Sequence, residues 1–130
     1  MDTLRFFFDF SCPYAWLASR RVEALAERTG ARLEPCPILL GGVFRARATP
    51  QNLSGSLSPA KARHNLLDLR RHAAAEGIDF GFPAEHPMRT VTALRALLAV
   101  GEPFLPLAHR FFEAYWLRGI RLDEEAGVSK

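Results

Sequence analysis

Apolar residues crowd the start of the chain. "LRFFFDF", residues 4 to 10, is short and dense in aromatics, as expected of a strand buried on both faces. From Tyr14 the spacing changes to that of a helix, with Leu17, Ala18, Val22, Leu25 and Ala26 forming one stripe. Pro13 suits the first helical position, where no N–H is required, and Gly30 suits the C-cap. "ARLEPCPILL" then predicts a second strand, which Pro35 and Pro37 shorten or place at an edge. Strand, helix and strand in that order make a βαβ unit with a parallel pair and a right-handed crossover.

The pattern then breaks. "GGVFRARATPQNLSGSLSP" is rich in Gly, Ser and Pro and predicts a long functional loop. Ser58 and Pro59 open a helix running to about Gly77, with Leu66, Leu67 and Leu69 on its apolar side. "IDFGFPAEHP" is an extended link. Thr90 or Thr92 opens a further helix through Val100, and "EPFLPLAHRFFEAYWLRG" supplies another, closed by Gly119. The tail "DEEAGVSK" shows no pattern.

Composition narrows the function classes. The 130 residues are 48% hydrophobic and 24% charged, as in one soluble globular domain. The net charge of +3 is carried mostly by arginines spread over helical faces, which suits a small anion and argues against nucleic acid. No apolar run has membrane-spanning length, and Asp2 and Asp9 spoil the start as a signal peptide, so the expected compartment is the cytoplasm. Two cysteines make neither a disulfide scaffold nor a zinc site, and the histidines have no metal-ligand spacing; no metal is expected.

Cys12 is the first candidate for chemistry. If the strand ends near Phe10 and Pro13 begins the helix, Cys12 is the N-cap, with its sulfur facing unpaired amides and the positive end of the helix dipole. That environment lowers a thiol's pKa, and it lies at the carboxyl end of a parallel strand, where open α/β sheets bind ligands. A dithiol cycle needs a resolving thiol at the fourth position of "CPYA", which Ala15 cannot supply. Cys36 reads as a small strand residue. Trp116 could line an aromatic pocket, although burial is the commoner fate of such a residue; Tyr14 shares the helix start with Cys12 and is the better pocket candidate.

"FFFDFSCPYAWLASRRVEALA" resembles the opening of the DsbA-like thioredoxin-fold superfamily, and within it the 2-hydroxychromene-2-carboxylate isomerases and kappa-class glutathione transferases. "PILLGGVFRA", "PAKARHNLLDLRRHAAAEGI", "FPAEHPMRTVTALRALLA" and "FFEAYWLRGIRLD" extend the resemblance over nearly the whole chain. It implies a glutathione-dependent isomerase of a small aromatic oxo-carboxylate, in which glutathione thiolate adds to the substrate and permits rotation about the former double bond. It implies that Cys12 stands where the family has the serine that holds this thiolate, and that Ser11 lies one place out of register. It also implies substrate or glutathione contacts for Arg45 and Asn52. Lys61, in the first turn of its helix, is a candidate anion ligand.

The expected fold is thioredoxin-like α/β: an N-terminal βαβ half over residues 1–44, a helical insertion over 45–119 and a tail over 120–130. The family's C-terminal ββα part has no counterpart in "RLDEEAGVSK", so a fragment, a homodimer or a partner chain that completes the sheet is expected. Two alternatives to the isomerase stand beside it: a monothiol oxidoreductase acting through Cys12, and a truncated, non-catalytic domain completed by a partner.

Overall fold

The computed structural model describes residues 2–129. Strand β1 (Thr3–Phe8) pairs in parallel with β2 (Arg32–Pro37), from Thr3 opposite Arg32 to Phe8 opposite Pro37. Between them run α1 (Pro13–Ser19) and α2 (Val22–Thr29), and after them come α3 (Leu40–Ala46), a 3-10 turn (Ser54–Ser56), α4 (Pro59–Ala75), α5 (Val91–Val100), α6 (Leu105–Trp116) and α7 (Glu125–Val128). The two-stranded sheet and its helices form the expected thioredoxin-like arrangement of a βαβ unit followed by helices. Among the described residues, no helix is long and apolar enough to cross a membrane.

β1 differs from the doubly buried strand that its aromatics predict. Phe6 and Phe8 face the core, whereas Phe7 is 59% exposed on the opposite face with Arg5 and Thr3. Side chains alternate with period two, and the helices cover only one face. Phe8, Phe10 and Phe112 form an aromatic knot with ring centroids 5.0–5.8 Å apart, edge-to-face or tilted as their quadrupoles favour. One hydrophobic cluster takes residues from β1, α1, α4, α5 and α6.

The single helix expected from Pro13 to Gly30 is broken at Arg20–Arg21. Ser19 is buried, and its hydroxyl donates to the Trp16 carbonyl at 2.6 Å. Such a back-bond competes with the helical ladder. Arg20 and Arg21 then donate to carbonyls three residues back, and Arg21 leaves helical geometry at φ −121°. Gly30 closes α2 at φ 71°, donating to Ala26 and Glu27 as a left-handed cap.

Downstream, Ser58 caps α4, accepting from Lys61 N–H at 3.3 Å, and Pro59 fills the first helical position, both as expected. Leu69 is buried but Leu67 is exposed, so the apolar side is narrower than predicted. The predicted loop after β2 contains α3. Its two glycines disfavour a helix, and its start is instead fixed from outside, through Leu40 N–H.

The patternless tail forms α7, four residues too short to show periodicity. Leu122 is fully buried beside it, and a β-carbon on Gly127 would overlap the Arg121 carbonyl. Gly127→Ala is therefore expected to displace α7 and lower stability by about 1–3 kcal/mol, read as a lower midpoint in urea.

Candidate functional site

Asp9 organises the end of the sheet. It is 2% exposed, an acid inside an aromatic run, yet both carboxylate oxygens are taken. Oδ1 accepts from the Thr90 hydroxyl at 2.6 Å, and Oδ2 accepts from Leu40 N–H at 2.8 Å. Burial pushes its pKa up and outweighs these two bonds and the amides of Phe10 and Ser11, which pull it down. Asp9 thus ties the end of β1 to the first residue of α3 and to the residue before α5.

That tie encloses a cavity of about 270 Å³ at the carboxyl ends of the strands. Asp9, Ser11, Arg45, Gln51, Arg89 and Thr90 supply its polar lining. Among the described residues neither guanidinium has an ion-pair partner, and Asp9's oxygens are already engaged. The cavity therefore favours an anion. A larger depression beside β2 mixes Glu23, Glu34 and Glu102 with Arg32 and lies away from the strand ends.

Cys12 is the N-cap of α1, at φ −93° and ψ 116°, as the Pro13 rule predicts. Its thiol does not have the lowered pKa expected of that position. Burial, the largest cause, pushes it up, the Asp9 charge adds to this, and the facing amides of Ala15 and Tyr14 offset only part. No cap hydrogen bond reaches bonding geometry. Both cysteines are free, with Cys36 Sγ donating to the Glu34 carbonyl at 3.4 Å. At the helix start it is Ser11, not Cys12, that lines the cavity.

The other candidates separate. Arg45 lines the cavity. Tyr14, 40% exposed, points at α4, with its hydroxyl 2.8 Å from Asp68 Oδ2 and 2.9 Å from Asn65 Oδ1. Burial, Asp68 and Cys12 push its pKa up to about 12, and it does not line the cavity. Asn52 spends its side chain on the following turn, where Oδ1 accepts from Gly55 N–H at 3.0 Å, and its neighbour Gln51 reaches the cavity instead, donating to the Gly41 carbonyl at 2.9 Å. Lys61 is exposed and outside the lining. Trp116 is a core residue, not a pocket wall: it is 1% exposed, and its indole N–H donates to the Phe10 carbonyl at 2.8 Å.

Sequence reasoning missed Asp9, Arg89 and Gln51 as site residues. The sequence does carry a signal for Asp9, since a lone acid between aromatics must find partners if it is buried. Nothing in the sequence distinguishes Arg89 from other surface arginines.

A second network braces the same wall. Tyr115 hydroxyl accepts from Met88 N–H at 3.0 Å and lies 2.6 Å from His86 Nδ1, while Phe82 and Trp116 rings flank the imidazole. Burial pushes Tyr115 up to about 12 and His86 down. Because the folded state favours neutral His86, its contribution is full above the unfolded value near 6.5 and is lost as pH falls below it. Asp9 has the opposite sign, since its raised pKa costs stability as pH rises above 3.8. Melting temperature is expected to fall between pH 7 and 5 in the natural protein and to fall less steeply in His86→Gln.

Residues 3–130 match the sequence model of the DSBA-like thioredoxin domain family. The chain belongs to this family. This DSBA-like domain is 28% identical over 123 residues to a 2-hydroxychromene-2-carboxylate isomerase of Pseudomonas putida, covering 93% of the chain and 59% of that protein. It also superposes on a solved selenomethionine structure of a 2-hydroxychromene-2-carboxylate isomerase with a TM-score of 0.71 and 27% identity, over 96% of this chain and 63% of that one. The DSBA-like domain thus spans about three fifths of the length of these relatives.

Proposed function

We propose that the chain acts as a glutathione-dependent isomerase on a small aromatic oxo-carboxylate of the 2-hydroxychromene-2-carboxylate type. The observation that carries this reading is the cavity at the strand ends, lined by Ser11, Arg45 and Arg89 beside the start of α1. The likeness to two isomerases agrees with it.

The donor set suits both ligands. The amides of Tyr14 and Ala15 face the anion position at the N-cap, and such helix starts favour thiolates. When bound, glutathione supplies the thiolate that adds to the substrate's double bond and later leaves it. Arg45 and Arg89 hold the substrate carboxylate, as planar guanidiniums do well. Ser11 donates its hydroxyl to an anionic oxygen or sulfur in the cavity. Asp9 holds the two arginine-bearing segments in place.

A second reading is thiol–disulfide exchange through Cys12, favoured by a free thiol at the N-cap. Its raised pKa and Ala15 at the fourth position weigh against it. The third is a non-catalytic domain completed by a partner chain or a second copy.

The test mixes the purified chain with 2-hydroxychromene-2-carboxylate, with and without glutathione, and follows the approach to equilibrium by absorbance. The isomerase reading expects acceleration that requires glutathione and survives Cys12→Ser. No acceleration by the folded chain would overturn it. A glutathione adduct on Cys12 without isomerisation would move the assignment to thiol exchange.

A further inference from the structure

We propose that Tyr115 and His86 are positioning residues for the strand-end cavity. Neutral His86 leaves the Tyr115 oxygen free to hold the Met88 amide, and with it Arg89; protonation of His86 releases both. Residues 78–90 contain no helix or strand, so the wall that carries Arg89 has no ladder to hold it. It is pinned on both sides of Arg89 instead. Thr90 Oγ1 donates to Asp9 Oδ1 at 2.6 Å, and Met88 N–H donates to Tyr115 Oη at 3.0 Å. Met88, Thr90 and Tyr115 are buried, whereas Arg89 is exposed and lines the cavity beside Pro87 and Met88.

The second pin depends on one proton. Tyr115 Oη accepts from Met88 and lies 2.6 Å from His86 Nδ1, and among the described residues the hydroxyl has no other partner. The Met88 amide can only donate, so the Tyr115 proton points at Nδ1. Neutral His86 then carries its own proton on Nε2, and a second proton can enter only at Nδ1. Two donors would meet there. The Tyr115 hydroxyl must turn away, its proton has no acceptor in the core, and Met88 N–H must share the oxygen with the imidazolium. The loop yields before the core does, since Tyr115 is fixed in α6 against Trp116 while the loop has no ladder.

The charges around this corner predict the opposite response. Phe82 and Trp116 flank the imidazole, and burial is what opposes its charge. His72 and His109 pair with carboxylates, but among the described residues none pairs with His86. Asp9 and Asp123 act on Tyr115, while Asp123, Glu124 and Glu85 act on Arg121. A positive His86 attracts an anion, and neutralisation of Asp9 as pH falls favours one too. Plain electrostatics therefore tightens anion binding at low pH, whereas loss of the Met88 pin loosens it. This inference rests on the anion site of the proposed function and adds the residues that hold it in shape.

The test titrates the chain with benzenesulfonate, a monoanion throughout, by calorimetry at pH 8 and pH 5, with circular dichroism to check the fold. NMR follows the His86 ring with and without the anion. Affinity should fall about fivefold or more at pH 5 in the natural sequence. By linkage, bound benzenesulfonate should lower the His86 pKa, although its charge alone would raise it. His86→Gln, whose amide oxygen accepts the Tyr115 proton at either pH, should bind equally at both. Tyr115→Phe keeps the packing and removes the pin. At pH 8 it should already bind about fivefold more weakly, with a faster-exchanging Met88 amide. Absence of binding at pH 8 would overturn this proposal together with the carboxylate reading. Affinity that holds or tightens at pH 5, a raised His86 pKa, a pH 5 loss that persists in His86→Gln, or full pH 8 affinity in Tyr115→Phe would each overturn this proposal alone.

Discussion

Asp9→Ala is expected to lower stability by about 2–3 kcal/mol, whereas Asp9→Asn should cost about 1 kcal/mol or less. Alanine would leave the buried Thr90 hydroxyl and the part-buried Leu40 N–H without the partners they have at 2.6 and 2.8 Å. Relief of the carboxylate's own burial cost, visible in its raised pKa, offsets some of that loss. Asparagine behaves differently because its two ends differ. Its oxygen can accept from Leu40 N–H, which cannot reverse, while its amide donates to the Thr90 hydroxyl, which can rotate to accept. Urea midpoints of the two variants check this, and equal losses would show that the carboxylate charge, not its bonding, holds the site together. The alanine variant should also weaken anion binding in the cavity, since the segments bearing Arg45 and Arg89 lose their common tie.

Trp116→Ala should cost about 3–5 kcal/mol, a large share of the 5–15 kcal/mol typical of a small domain. The indole packs against Phe80, Phe82, His86 and Tyr115 with centroids 4.6–5.8 Å away, and its N–H satisfies the Phe10 carbonyl. Trp116→Phe keeps most of the packing and removes the donor, for about 1–2 kcal/mol. Denaturation curves give both values. Ligand affinity of the Phe variant should remain within a factor of two, because Trp116 lies outside the cavity; a tenfold loss would return Trp116 to the binding wall.

What the sequence made legible was local. Pro13 after Cys12, Ser58 before Pro59 and Gly30 after Thr29 announce helix ends through backbone rules that act over a few residues. The family resemblance adds the order of elements. What stayed hidden depends on distant partners. Asp9 is bonded to residues 31 and 81 positions away, and no local pattern names them. The break between α1 and α2 follows from a Ser19 hydroxyl turned inward, which helical spacing does not reveal. The amphipathic stripe of α6 shows that one side is buried but not that Trp116 is inside it. At Cys12 the helix start is visible in the sequence, and the burial that raises the thiol's pKa is not.

In the proposed function, Arg45 and Arg89, which line the strand-end cavity, bind a carboxylate there. Calorimetric titration of the chain with 2-hydroxychromene-2-carboxylate tests it most directly, comparing the natural sequence with Arg45→Gln, Arg89→Gln and, as a control outside the cavity, Lys61→Gln. Saturable binding is expected, weakened about tenfold by each cavity substitution, the equivalent of one charge-assisted hydrogen bond near 1.4 kcal/mol, while Lys61→Gln binds as the natural protein does. Affinity unchanged by both cavity substitutions, or lowered equally by Lys61→Gln, would contradict it.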